Sequence, residues 1–274
     1  MQLIEFLFDV LPEQIVLMDI FQRIITSMIL LAILIVLSLW QRMHMEKSFI
    51  VSFARGIIQI VIMALFLIII FALEELLIIY GVLLFMCIFA AFTADKQLKV
   101  PGMFGILLFA ITVGGLSIMT FVIFVGIIEP VGVFVIPIGG IVISNVMIII
   151  LIALERLIAD SQKSKGKIEA ALSLGAPPRN AVKYLLRDSF RAALMPSTNR
   201  VAILGVVTIP GLMAGMIIGG TNPIVAAIYQ VIIFLMLMAG GLIGSIITAY
   251  LFLNRLFTKE DQLNIVILSK INKK

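Results

Sequence analysis

Glu169-Ala-Ala-Leu-Ser-Leu-Gly175 lies in the only long polar stretch between two blocks of membrane-length apolar sequence. The surrounding segment, residues 155–195, carries Arg156, Lys163, Lys165, Lys167, Arg179, Lys183, Arg187 and Arg191, interleaved with Asp160, Glu169 and Asp188. Two helical pieces are predicted in it. The first runs to about Leu174 and stops at Gly175, since glycine takes the left-handed position after a helix at least cost. The second restarts at Pro177-Pro178, where a helix tolerates missing N–H groups, and runs to Leu194 before Pro196. In it Ala181, Tyr184, Leu185 and Phe190 are expected on one side, with Lys183, Arg187 and Arg191 four apart on another. This is a helix–break–helix element lying along the membrane and presented to a soluble partner.

Outward from this element the chain is apolar. It has 274 residues, 62% of them hydrophobic, and a mean hydropathy of +1.24. Seven runs reach the roughly 20 residues needed to cross a bilayer: 22–41, 50–73, 76–94, 102–128, 131–154, 197–220 and 224–253. The expected fold class is therefore all-α, a polytopic membrane protein of about seven transmembrane helices. The expected organisation is an amphipathic outer-surface segment at 1–20, a transmembrane body at 21–254 and a basic tail at 255–274. Leu3, Ile4, Leu7, Phe8 and Leu11 follow a helical stripe, with Glu5 and Asp9 opposite, which suits a surface-lying helix.

Charge placement orients the chain. Arg42, Lys47, Arg55, Lys96, Lys99, the 155–195 loop and the tail residues Arg255, Lys259, Lys270, Lys273 and Lys274 fall on one side. Glu74, Glu75, Glu129 and the acidic N-terminus fall on the other. The positive-inside bias then puts the N-terminus outside and the C-terminus inside. Lys and Arg beside anionic lipid account for the basic tail, so no nucleic-acid partner is expected.

No phosphate-binding G-x-x-x-x-G-K-[ST] loop is present: the only Gly-Lys pair, Gly166-Lys167, is followed by Ile168. The chain is thus not expected to be an enzyme or to bind a cofactor, and any ATP–Mg chemistry belongs to a partner subunit. Cys87 is the single cysteine, which excludes an intrachain disulfide. Acids flank the spans, but none lies deep within one.

The sixth run holds Ile209-Pro210-Gly211 and then Gly215 and Gly219. Proline predicts a kink, and Gly211, Gly215 and Gly219 form a small-xxx-small stripe suited to close helix approach; Gly240 and Gly244 make a second such pair. Gln59, Asn145, Tyr229 and Gln230 are the deep polar candidates for a substrate path. Met147, Met213 and Met216 are candidate soft ligands, although methionine more often fills core gaps. No metal ligand set can be assigned, and His44 reads as a solvated loop residue.

The E-A-A-x-x-x-G element resembles the coupling segment of bacterial ABC-transporter permeases. Leu172-Ser-Leu-Gly-Ala176, Arg187-Asp-Ser-Phe-Arg-Ala-Ala-Leu194, Pro196, Ile209-Pro-Gly-Leu-Met213 and Tyr229-Gln230 together resemble the FetB-type iron-export permease family. Arg55-Gly-Ile-Ile-Gln59, Val135-Ile-Pro-Ile138 and Asn145-Val-Met147 add to the likeness, which covers residues 48–253. The resemblance implies a plasma-membrane ABC exporter permease, a homodimer with two copies of a cytosolic ATPase and a metal ion, iron, as cargo. It also implies that Glu169, Ala170, Ala171, Gly175, Arg187, Asp188 and Arg191 serve ATPase coupling. Two alternatives stay open. One is a permease for a nucleotide sugar or lipid-like molecule, the role linked to aluminium tolerance in plant relatives of that family; the other is a membrane sensor or scaffold that transports nothing.

Overall fold

The computed structural model describes residues 14–71, 75–258 and 262–264. Ten helices are described: α1 Gln14–Trp40, α2 Glu46–Phe71, α3 Leu76–Leu98, α4 Phe104–Phe124, α5 Gly132–Lys163, α6 Lys165–Ser173, α7 Pro178–Ala181, α8 Lys183–Ala202, α9 Gly211–Ile218 and α10 Pro223–Leu256. Among the described residues there are only two isolated β-bridges and no strand. The expected amphipathic helix at 1–11, Glu74 and most of the basic tail lie outside the described residues.

The chain divides into two compact units at Ile69/Ile70. In the first, α1 and α2 are joined by a turn in which Arg42 and His44 both take positive φ of 53°. Ser38 Oγ donates to Glu46 Oε1 at 2.8 Å across that turn. The second unit is a bundle of α3, α4, α5 and α10 with α8 packed on α5 and α10.

Glycines set the directions in this bundle. A Cβ on Gly114 of α4 would stand 2.7 Å from the Gly240 carbonyl oxygen of α10, and one on Gly240 would stand 2.7 Å from the Gly114 oxygen. Val146 of α5 wedges between them, and Gly244 approaches the Ala110 oxygen. Gly115 meets Ile143, while the Tyr80 hydroxyl donates to Thr120 Oγ1 at 3.1 Å between the start of α3 and the end of α4. Hence α3, α5 and α10 run one way and α4 the other. Arg255 Nη1 donates to the Pro101 carbonyl at 3.1 Å, so the end of α10 meets the α3–α4 turn. Lys96, Lys99, Arg255 and the basic end of α5 therefore gather at one end of the bundle.

Five helices are long and apolar enough to span a membrane: α2 over Glu46–Ile68, α3, α4, α5 and α10. The helix α1 contributes a shorter apolar stretch, Ile25–Trp40. The expected continuous span at 197–220 is not formed. Its first residues complete α8, the chain leaves helix at 203–210, and only the eight-residue α9 follows. The reason is local. Gly205 takes φ +77°, Val206, Val207, Thr208 and Ile209 are all β-branched, and residue 209 precedes a proline that disfavours the helical region. Pro210 then caps α9 rather than kinking a longer helix. By contrast Pro196, expected to end a helix, lies inside α8. Ala193 and Ser197 are buried on either side of it and hold the turn against its neighbours.

The Gly114–Gly240 contact leaves no room for a methyl group. Gly240→Ala should lower thermal stability in detergent by about 1–3 kcal/mol. Gly56→Ala on α2, where a Cβ meets nothing within 4 Å, should be neutral or gain about 0.5–1 kcal/mol. Equal melting of both variants would contradict the backbone contact.

Candidate functional site

The polar element begins where α5 ends at Lys163, and Ser164 caps both α5 and α6. The turn after α6 is the one expected. Gly175 has φ +84°, its N–H bonds the Leu172 carbonyl at 2.9 Å, and the Ala176 N–H bonds the Ala171 carbonyl at 3.1 Å. These are the two bonds of a Schellman motif, which satisfies carbonyls that the helix end would leave open. Nothing stands within 4 Å of a Cβ at Gly175, so only backbone conformation demands glycine there. Pro177 precedes α7 and Pro178 is its first residue, after which Val182 breaks the helix before α8.

Ile168, Ala181, Val182, Leu185 and Leu186 are buried and anchor the element to the bundle. Glu169, Ala170, Gly175, Arg187, Asp188 and Arg191 are exposed, and Ala171 is half-buried. Glu169 pairs with Lys165 at 3.7 Å on an exposed helix face, and Arg156 with the half-buried Asp160 at 2.7 Å, each pair one turn apart; the exposed pair adds little to stability. Tyr184 does not join the buried face: it is 44% exposed, and Ser189 takes the inward position. A three-to-four residue period from Leu185 through Ser189 to Ala193 places Tyr184 to one side. Sequence reasoning passed over Leu174. It stands 89% exposed beside the Gly175 turn, the most exposed large apolar side chain of the polar element. A leucine between a serine and a helix-ending glycine was the available signal.

The path candidates fall on both units and are described within each. Gln59 is exposed on α2 in the first unit. Asn145 on α5 and Gln230 on α10 are buried, at 6% and 7% exposure, and neither Asn145 Oδ1 nor Gln230 Oε1 has a hydrogen-bond partner. They are not neighbours. Gly240 packs on Val146, and Gln230 precedes Gly240 by ten residues, so the two amides lie about 15 Å apart along the bundle. Met147 and Tyr229 are half-buried beside them. Met213 and Met216 are half-buried on α9, where Gly211, Gly215 and Gly219 are exposed. A Cβ on Gly211 or Gly215 would meet nothing within 4 Å, so this stripe is open where Gly240 and Gly244 are filled.

Among the described residues no group of three or more His, Cys, Asp or Glu side chains converges as a metal site would require. His44, Glu75 and Glu129 are exposed loop or cap residues.

A helical bundle with apolar spans and a structured polar break defines a multi-pass membrane protein. Residues 21–257 match the uncharacterised protein family UPF0014, and the chain belongs to that family. It is 32% identical over 245 residues, 89% of this chain and 95% of the relative, to the protein named "Probable iron export permease protein FetB" of Escherichia coli. It is 30% identical over 234 residues to the UPF0014 membrane protein STAR2 of rice, covering 85% and 82% of the two chains. It is 27% identical over 244 residues to "Protein ALUMINUM SENSITIVE 3" of Arabidopsis thaliana, covering 89% of each. No solved structure gave a significant match.

The orphaned carbonyl of Asn145 makes a stability prediction. An unsatisfied buried oxygen costs about 1–3 kcal/mol, so Asn145→Val, which removes the amide without the bulk of leucine, should raise the melting temperature of the purified chain. A fall for both Asn145→Val and the smaller Asn145→Ala would contradict an unsatisfied amide.

Proposed function

We propose that the chain is the membrane-spanning subunit of an ABC exporter that carries iron out of the cell, as a homodimer driven by two copies of a cytosolic ATPase. The observation that carries the coupling part is the exposed Leu174–Gly175 corner, an apolar tip held by a rigid turn on an otherwise polar segment. Apolar anchors of this kind dock in pockets of a partner surface. Glu169, Arg187 and Asp188 are exposed on the same segment and would supply a polar rim, with Ala170 leaving room for the partner, and ATP–Mg would bind the partner alone. The open Gly211–Gly215 stripe supports close approach of a second copy. Support for iron is the likeness to the E. coli permease. Asn145, Gln230 and Tyr229 in the bundle, Met147 beside them and Met213 and Met216 on α9 are among the groups with lone pairs to offer a cargo.

Inside-out vesicles carrying the permease with its ATPase test the assignment. ATP-dependent uptake of radiolabelled iron is expected. ATPase stimulation by a nucleotide sugar but by no metal would transfer the function to the second class of cargo. Absence of any ATPase complex would leave the non-transporting reading.

Gly175→Val should insert normally yet lose transport by about tenfold, because a β-branched residue in the left-handed region strains the turn and re-aims the second arm. Full transport with wild-type ATPase stoichiometry in that variant would sink the docking role. Orientation has its own check, made simple by the burial of the lone Cys87. A cysteine at Glu129 should react with an impermeant thiol reagent on intact cells, and one at Lys165 should not. The opposite pattern would invert the assignment.

A further inference from the structure

We infer that Ser197 of α8 joins Asn145 of α5 as a second oxygen ligand for the cargo, the two forming an uncharged cation-binding pair between the helices. This deepens the proposed function and rests on its reading of the cargo as a metal ion.

The register of the two helices brings the residues together. Ala193 of α8 shares a buried cluster with Ile149 and Ala153 of α5. Arg179, before α8, stacks on Tyr250 near the basic end of α10, 5.5 Å from the ring centre. From there to Ala193 the chain heads away from the basic end, so α8 runs against the direction of α5. Ser197 stands one turn beyond Ala193, and Asn145 stands one turn before Ile149. Each is thus displaced about 6 Å from the Ala193–Ile149 contact, toward the same end of the bundle. Ser197 is 4% exposed and Asn145 6%. Glu155, the nearest charged residue along α5, is ten residues from Asn145. That is roughly 15 Å of helix, half of a hydrocarbon layer about 30 Å thick.

A polar group left open at that depth is costly, and these two are open. Asn145 Oδ1 has no hydrogen-bond partner. Ser197 departs from the habit of the hydroxyls around it. Ser189 donates to the Leu186 carbonyl, Thr198 to Leu194, Ser245 to Leu242 and Thr248 to Gly244, each within its own helix. Among the described residues Ser197 makes no such bond. Alanine packs in the same seam at Ala153 and Ala193, so packing alone does not call for a hydroxyl. Both groups are buried within this chain, and a second copy does not supply the missing partner. In this structure α8 is closed on α5, so cargo reaches the pair only when the two helices part.

The chemistry selects the ligand. An amide carbonyl and a hydroxyl are uncharged oxygen donors, the class to which the carbonyl and water ligands of divalent cations belong. A site without a carboxylate binds weakly, which suits an ion that must leave again.

Reconstituted permease–ATPase complexes titrated with ferrous iron test the pairing. Ser197→Ala should raise the iron concentration for half-maximal ATPase stimulation about tenfold, the low end of what a lost group around a metal costs. Its melting temperature should equal or exceed that of the unsubstituted chain, which separates a lost ligand from a lost fold. Ser197→Cys, close in volume, exchanges a hard donor for a soft one and should shift preference from iron toward cadmium about tenfold. Unchanged half-saturation and metal order in both variants would reduce Ser197 to a packing residue and overturn the inference. A second readout needs no transport. With Cys87→Ala removing the other thiol, purified Ser197→Cys permease should show the ultraviolet cadmium–thiolate band. Adding Asn145→Ala should then weaken cadmium binding about tenfold. Absence of the band, or a band indifferent to Asn145→Ala, would also overturn the pairing. If the unsubstituted complex responds to no metal while the band forms and depends on Asn145, the iron assignment fails and the cation-binding pair stands.

Discussion

Two helix backbones touch at Gly114 and Gly240, with Val146 driven between them, and the second unit is arranged around that contact. Within lipid, apolar side chains gain little by leaving one hydrocarbon surface for another, so helix association rests on close packing. Glycine permits that packing because it lets the peptide groups of neighbouring helices meet directly. Here the Gly114 and Gly240 carbonyls each stand where the other residue's Cβ would be. The third helix fills the remaining notch with a β-branched side chain whose rotamer is restricted. Gly139 and Gly140 repeat the device on the other side of α5, receiving Leu83 and Met86 of α3. Four helices are thereby held to one mutual register, and α8 takes its place against the surface they present.

Much of this was legible in the sequence because its causes are local. Gly175 ends α6 in the left-handed conformation, as a glycine after a helical run with prolines following should. Gly240 and Gly244 form a packing stripe, as their spacing says. What misled was the sixth hydrophobic run. Residues 197–220 have the composition of a span, yet composition does not register that four consecutive β-branched residues before a proline resist helix. Pro196 misled in the opposite sense: burial of Ala193 and Ser197 outweighs one missing backbone hydrogen bond. The polar candidates were recognised as residues but not as a constellation. Asn145 and Gln230 do lose their hydrogen-bond partners on burial, but only the register of α5 against α10 shows that they lie at different depths. Leu174 was invisible for a plainer reason: a single leucine in an amphipathic segment looks like an anchor until its exposure is known.

The family assignment and the architecture agree on a membrane protein whose polar element is not a passive connection. A linker would have no need of a Schellman turn, of a proline-started second arm or of five buried anchoring side chains. The same element continues into α8, so the region facing the aqueous side and the region reaching into the bundle are one covalent piece.

Backbones in contact cannot glide past one another, because a shift of α10 by one turn in one direction brings Met236 against Gly114. The four-helix frame therefore behaves as a rigid chassis. Non-helical breaks flank the α7–α8 arm, at 174–177 before α7 and at 203–210 after α8. Leu185 and Leu186 fix the start of α8 in the bundle and the small residues Ser189, Ala193 and Ser197 follow them along its inward side, so α8 is gripped by large side chains at one end and by small ones along the rest.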